Sequence, residues 1–352
     1  MTKKVHVIGG GIIGMSTAYH LVQAGAQVTV FEIDKGYSES SFARSCGGFR
    51  AQYFTPTNVQ MSAYSIDFIK NRTDVEFTDN GYLMLFGKDQ QQDCDYSHKM
   101  QNAQGASTQQ LTIRQLEISH SYLNTEDLYK GCITTDGSEG WADPTTVHKW
   151  FKDNTDCKIV YEDGTTADHS AADAVVITAG CWSNTVGKTF GLDIPVRPHK
   201  HTVFNVSTAK PVMKDMPLVA DLVTGVYLRP EGDGYIVGYD GNGTYDSEDL
   251  EPDWNSWDEV WMHLYHRFPT VFDEAKMTGA WAGYYDSSTI DNNAVIDVRD
   301  KYYFATGFTG RGLMHSPAVG LTLSELVMSK DTTFDISAYR LGREPDIEKY
   351  VI

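Results

Sequence analysis

Residues 5–8 (VHVI) form a short apolar run that passes straight into Gly9, Gly10, Gly11, Ile12, Ile13 and Gly14, and residues 15–25 then carry apolar side chains at helical spacing. Few local patterns constrain a fold as tightly. The spacing predicts strand, turn and helix. Gly9 lies in the tight turn, Gly11 where a pyrophosphate must approach the backbone, and Gly14 where helix packs on strand; Ile12 and Ile13 open the helix at the phosphate end. A second strand, 27–31 (QVTVF), ends at Glu32, the place of the ribose hydroxyls of a dinucleotide, and its carboxylate repels a 2′-phosphate, which argues against NADP. Glycine loops also occur for steric reasons alone, but strand, helix, second strand and terminal acid here agree on a dinucleotide site. They leave NAD and FAD both open.

Three later segments bear on that choice. Residues 40–50 (SSFARSCGGFR) are too irregular for helix or strand and read as a ligand-covering loop. Residues 173–180 (DAVVITAG) read as a buried strand ending in a glycine turn, followed by Cys181 and Trp182. Residues 301–306 (KYYFAT) lead into Gly307, Phe308, Thr309, Gly310, Arg311, Gly312 and Leu313, with a helix expected from about Pro317. This second strand, glycine loop and helix start again aims backbone N–H groups at something electron-rich. Glycine-rich helix starts near both ends of the chain suit an elongated cofactor, and favour FAD over NAD.

A chain of 352 residues implies two domains or one large one. With 41% hydrophobic and 22% charged residues it is expected to fold, and a net charge of 29 − 47 = −18 makes nucleic acid and anionic membrane surfaces unsuitable partners. The five cysteines are odd in number and form no CxxC pair, so no disulfide framework and no metal site are expected. Only residues 1–4 precede the first strand and no apolar run approaches the roughly 20 residues of a membrane span, so we expect a cytoplasmic protein. The Gln-rich stretch 89–110 and the acidic run 240–258 read as exposed, and 257–268 as an amphipathic helix.

Several stretches resemble the D-amino acid oxidase superfamily of FAD-dependent amine oxidoreductases, which includes glycine oxidase, sarcosine oxidase and dimethylglycine dehydrogenase. They are SCGGFRAQYFTPTNVQMS (45–62), SYLNTEDL (121–128), EGWADP (139–144), GVYLRPEG (225–232), WAGYYDSSTIDNNAVID (281–297) and TGFTGRGLMHSPAVG (306–320). Within the superfamily the chain is most similar to the FAD-dependent oxidoreductase-domain branch of complex I assembly factors. The resemblance implies an α/β fold: a discontinuous, Rossmann-like FAD domain of the glutathione-reductase type (1–80, 141–197 and 290–352) and an α+β substrate domain on a mixed sheet (81–140 and 198–289). It implies that Ser40, Ser45, Cys46, Gly47 and Gly48 lie along the flavin, that Ala179, Gly180 and Trp182 approach the cofactor from the central sheet, and that Gly307 and the stretch from Thr309 through Gly310, Arg311, Gly312 and Leu313 to Met314 cradle the isoalloxazine.

The chain departs from that family in four places. Gly283 stands where covalent-flavin sarcosine oxidases have cysteine, implying non-covalent FAD. Ile236 replaces their oxygen-activating lysine, and Met314 a lysine that holds substrate carboxylate. The segment 145–179 is shorter than the family norm.

The resemblance implies oxidation of a small amine or amino acid, sarcosine- or glycine-like and N-methylated in some relatives, to an imine by hydride transfer to flavin N5, with a dehydrogenase favoured over an oxidase. Arg50 is the first choice for a carboxylate anchor because its planar fork donates two parallel hydrogen bonds, with Arg229 second; pairing of Arg50 with a cofactor phosphate or a structural carboxylate stays equally open. Arg311 is expected to offset negative charge on the reduced flavin. Tyr227, Tyr239, Tyr284 and Tyr285 are candidate walls of an amine pocket. His315 reads as a satisfied buried histidine rather than a proton carrier, and the 199–201 stretch (HKH) as a basic patch or an exposed turn. The alternative is an FAD-binding assembly or scaffold protein with little turnover. Substrate, electron acceptor and oligomeric state stay open.

Overall fold

The computed structural model of the protein describes every residue except Met1, Thr135 and Ile352. The first strand, Lys4–Ile8, pairs in parallel with Gln27–Phe31 on one side and Ala174–Ile177 on the other. Lys158–Val160 extends the sheet beyond Gln27–Phe31, and Tyr302–Thr306 extends it beyond Ala174–Ile177. An antiparallel edge strand, Val295–Arg299, completes six strands. Of the central strands, Ala174–Ile177 is apolar and buried throughout, as a strand covered on both faces is, while Lys4–Ile8 and Gln27–Phe31 bury Val5, Val7, Ile8, Val28, Val30 and Phe31. The helices Ile12–Gln23 and Gly312–Val327 pack together there through small residues: Ser16 Oγ donates to the Ser316 carbonyl at 2.7 Å, and a Cβ on Gly320 would stand 2.3 Å from that hydroxyl.

A second sheet of nine strands draws its strands from residues 82–134 and 196–288. It is mixed, since Tyr82–Gly87 runs parallel to Leu218–Asp221 while the remaining pairs are antiparallel. Its longest strands, Val196–Ser207 and Lys276–Ser288, pair along almost their whole length and carry the chain from one sheet towards the other. Alternation along each strand sorts side chains by face. Val226, Leu228, Tyr235, Val237 and Tyr239 pack with Val260 and Leu264 of the amphipathic helix Trp257–Arg267, so Tyr227 and Gly238 fall on the opposite face. The strands Gly48–Phe49, Gly140–Ala142 and Phe77–Thr78 form a small third sheet.

Three expectations about local structure change. The last long helix begins at Gly312, not near Pro317, which sits inside it. Proline has no N–H for the Leu313 carbonyl, but Ser316 Oγ donates to that oxygen at 2.8 Å, so the turn survives. The loop 40–50 contains a 3₁₀ turn, Ser41–Arg44, and the strand Gly48–Phe49. The stretch 89–110 holds the helix Gln91–Ala103, whose Cys94, Ser97 and Gln101 are buried. No helix among the described residues is long and apolar enough to cross a membrane.

Candidate active site

Between the two large sheets lies a cavity of about 540 Å³ that begins at the first glycine loop. Each turn of that loop is held by a backbone or buried side-chain bond. Gly9 N donates to Phe31 O at 2.9 Å, Thr178 Oγ1 donates to Gly9 O at 3.0 Å, and His148 Nε2 donates to Gly10 O at 2.8 Å. Burial lowers the His148 pKa to about 4, so near neutral pH the ring is an uncharged donor. Gly14 does not face the cavity. A Cβ there would stand 1.9 Å from the Gly9 carbonyl oxygen, so the helix can reach the strand only without one. A Cβ on Gly11 would meet nothing within 4 Å, and this residue lines the cavity.

Glu32 closes the same end, 7% exposed. Its Oε2 accepts from Gly10 N at 2.7 Å and its Oε1 from Asp34 N at 2.8 Å. Two carboxylate acceptor positions remain for ligand hydroxyls. Burial raises its pKa, and the Asp34 and Gly10 N–H groups oppose that shift.

At the far end the nine-stranded sheet forms an aromatic wall. Tyr82, Leu218, Tyr227 and Tyr285 face the cavity, and the Tyr227 and Tyr285 hydroxyls lie 3.4 Å apart. Gly238 makes room for Tyr227: a Cβ there would be 2.0 Å from that ring. Tyr285 lies against His201 at 4.3 Å between ring centroids and against Gly310, whose φ of +86° suits glycine and whose Cβ would stand 2.9 Å from the tyrosine ring. His201 also meets His199 Nδ1 at 3.0 Å, and burial lowers its pKa to about 3. Asp286 fixes the second glycine loop, its Oδ2 accepting from Gly307 N at 2.9 Å and Thr306 Oγ1 at 3.3 Å; burial raises its pKa to about 6. Arg44 ties the covering loop down by donating twice to Ser38 O and once to Ala282 O.

Most of the residues singled out in the sequence meet in this cavity. Ile12, Ile13 and Glu32 line it at one end, and Ala179, Gly180 and Trp182 line it from the central sheet. Ser40, Ser45, Cys46 and Gly48 line the covering loop, and Gly310, Gly312, Leu313 and Met314 the second glycine loop. Gly47, Gly307 and Thr309 stand outside the lining. Gly47 packs on the Ala142 carbonyl, while Thr309, at φ +49°, is held by its N–H on Asp286 O at 3.0 Å.

The polar candidates divide. Tyr284 and Tyr285 line the cavity, whereas Tyr239 lies on the far face and donates to Glu259 at 2.8 Å. Arg50, 1% exposed, donates to Gln52 O and Tyr350 O, each at 2.9 Å, off the cavity wall. Arg229 donates to Cys46 O at 2.7 Å and so supports the covering loop. Arg311 is 2% exposed and donates to Asn292 O, and its Nε and Nη1 have no acceptor among the described residues. His315 Nε2 meets Ser62 Oγ at 2.8 Å and is off the cavity. Tyr82, Leu218, His148 and Asp286 are the contributors not singled out by sequence. Strand geometry puts Tyr82, Met84 and Phe86 of 82–87 (YLMLFG) on one face, but the run is apolar on both faces and only the sheet order tells which one looks inward.

An open glycine N-terminus, a buried acid with spare acceptor positions and an aromatic roof at the other end suit a dinucleotide carrying a flat redox ring. The fold and this cavity define an FAD-dependent oxidoreductase. Residues 4–326 match the family described as FAD dependent oxidoreductase (DAO), and the chain belongs to it. It is 30% identical, over 99% of its own length and 84% of the relative's, to FAD-dependent oxidoreductase domain-containing protein 1 of Xenopus laevis. Among solved structures it is similar to L-proline dehydrogenase from P. horikoshii, at a TM-score of 0.85 and 26% identity over 96% of each chain. Glycine oxidase from Geobacillus kaustophilus shares the fold at a TM-score of 0.81 and 20% identity, over 98% of this chain and all of that one.

Proposed function

We propose that the protein oxidises a small amine or amino acid to an imine, and that it works as a dehydrogenase. The observation that carries this reading is the single cavity joining the Glu32 end to the tyrosine wall. Glu32 and the N–H groups of the first loop would hold the adenosine and pyrophosphate half of FAD, and the covering loop with Gly310 to Met314 the ring half. FAD would supply a two-electron acceptor for the hydride on the carbon beside the substrate nitrogen, and the iminium so formed gives the imine by releasing its N–H proton to water. The chain's part is orientation and exclusion of water. The amine must bring a free lone pair to form the C=N bond, and an apolar, aromatic wall disfavours its protonated, hydrated form. Water then adds to the released imine.

Two measurements test this. Gly283 offers no thiol, so acid or heat should release all the flavin from the purified holoprotein; flavin that stays with the denatured chain would refute the non-covalent reading. Anaerobic titration with small secondary amines and amino acids should bleach the flavin band. A flavin left oxidised by all of them would instead favour an FAD-binding protein with no turnover.

A further inference from the structure

Two of the five cysteines meet where the helix Gln91–Ala103 packs on the strand Leu128–Thr134. Cys94, in the opening turn of the helix, and Cys132, on the strand, are both buried, and their Sγ atoms lie 3.6 Å apart. An approach of about 1.5 Å would bring them to the length of an S–S bond.

The two thiols are not alike. The hydrogen bond between them holds the Cys94 thiol below its ordinary pKa and pushes the Cys132 thiol well above it. The helix N-terminus, Gln110 Nε2 at 3.5 Å and the Lys130 charge also favour a thiolate at Cys94. Burial instead raises the thiols of Cys46, Cys157 and Cys181.

The side chains over Cys94 are polar and reach the surface. Gln110 is half-buried; its Nε2 also donates to Cys94 O at 3.3 Å and Asp95 Oδ1 at 2.9 Å, and its Oε1 accepts from Lys130 Nζ at 2.8 Å. Asp95 and Lys130 pair at 3.0 Å with side chains 38% and 21% exposed. Beneath them the two cysteines belong to the same buried cluster as Tyr82, Leu218 and Tyr227 of the cavity wall.

We propose that Cys94 and Cys132 are a redox-active dithiol whose substrate is a small hydroperoxide, admitted where the Gln110 side chain turns aside. The Cys94 thiolate attacks one peroxide oxygen; an S–O bond forms, the O–O bond breaks, and the departing oxygen takes the thiol proton and leaves as water or an alcohol. The Cys132 sulfur then attacks the Cys94 sulfur, the S–S bond forms, the S–O bond breaks, and water leaves with the second thiol proton. Two electrons pass from the sulfurs to the peroxide. The reaction needs no amine-oxidising activity.

The test treats the FAD-loaded protein with a modest excess of hydrogen peroxide, then unfolds it in N-ethylmaleimide and digests it without reductant. Mass spectrometry should find the Cys94 and Cys132 peptides joined, with Cys46, Cys157 and Cys181 alkylated, and dithiothreitol should undo the link. The linked protein should melt a few degrees higher. Cys132→Ser should stop at a Cys94 sulfenic acid that dimedone traps, Cys94→Ser should leave Cys132 alkylated, and Gln110→Ala should speed the link several-fold. Alkylation of both Cys94 and Cys132 in the treated parent overturns the proposal, as does a link that forms only in denaturant or oxidation of Cys132 undiminished in Cys94→Ser. An unchanged rate in Gln110→Ala overturns the entry route. If a serine variant does not fold, the link in the unaltered protein decides alone.

Discussion

Glu32 has two tasks, and one substitution separates them. Its oxygens hold the Gly10 and Asp34 amides, and its remaining acceptor positions face the cavity. Glu32→Gln keeps the shape, turns one acceptor into a donor and removes the charge. Loss of one bond to a charged group, about 1.5–3 kcal/mol, should raise the Kd for FAD by about ten- to a hundredfold. Equilibrium titration of the apoprotein measures it, and an unchanged Kd would move the adenosine site elsewhere. Glu139 supplies a pH effect on stability. It is fully buried, it accepts from Ala51 N and Gln52 Nε2, and burial raises its pKa to about 7. Between the ordinary carboxylate value and about 7 the folded state holds a proton that the unfolded state has lost. Its contribution to stability is therefore present at low pH and fades as pH rises through that window, by something on the order of 3 kcal/mol. Thermal unfolding of Glu139→Gln should show a flatter rise in Tm between pH 7.5 and 5.5 than the parent shows; parallel curves would mean that Glu139 titrates normally. None of this burial is legible in one residue's neighbours, since Glu139 meets Gln52 across 87 positions and Arg50 meets Tyr350 across 300.

At the scale of single elements much more can be read. The strand Gln27–Phe31 and the acid after it follow from local pattern alone, because alternation and glycine spacing are set within a few residues. Two glycines of the first turn differ in a way that spacing already suggests and that substitution can expose. Gly11→Ala projects a methyl group into open cavity, so it should leave the Tm of the apoprotein nearly unchanged while weakening FAD. Gly14→Ala drives a methyl group into the Gly9 carbonyl and should lower the Tm as well, at an overpacking cost of about 1–3 kcal/mol. Equal Tm losses in the two variants would contradict that division. Less legible is the start of the last long helix, where Pro317 reads as a boundary until Ser316 is seen to satisfy the Leu313 carbonyl. Likewise Tyr239 and Tyr227 look equivalent in sequence, and only the pairing of their strands puts them on opposite faces.

For the whole molecule, the layered arrangement and the run of motifs agree with the family, whereas the electron acceptor is a matter for experiment. Ile236 is 8% exposed, faces the same side as Gly238, and stands in register with Arg229. It brings no charge to the place where sarcosine oxidases carry a lysine. We expect photoreduced flavin to be reoxidised slowly by air-saturated buffer and much faster by a dye or quinone; rapid oxygen consumption in an electrode assay would make the protein an oxidase.

The six-stranded sheet takes in Tyr302–Thr306 as an inner strand late in the chain, and its first helix is clasped by the helix Gly312–Val327. A chain leaving the ribosome therefore exposes its first glycine loop long before the elements that complete the cavity exist. The cavity can take FAD only after residues 302–327 have been made and have packed on the strand Ala174–Ile177 and the first helix.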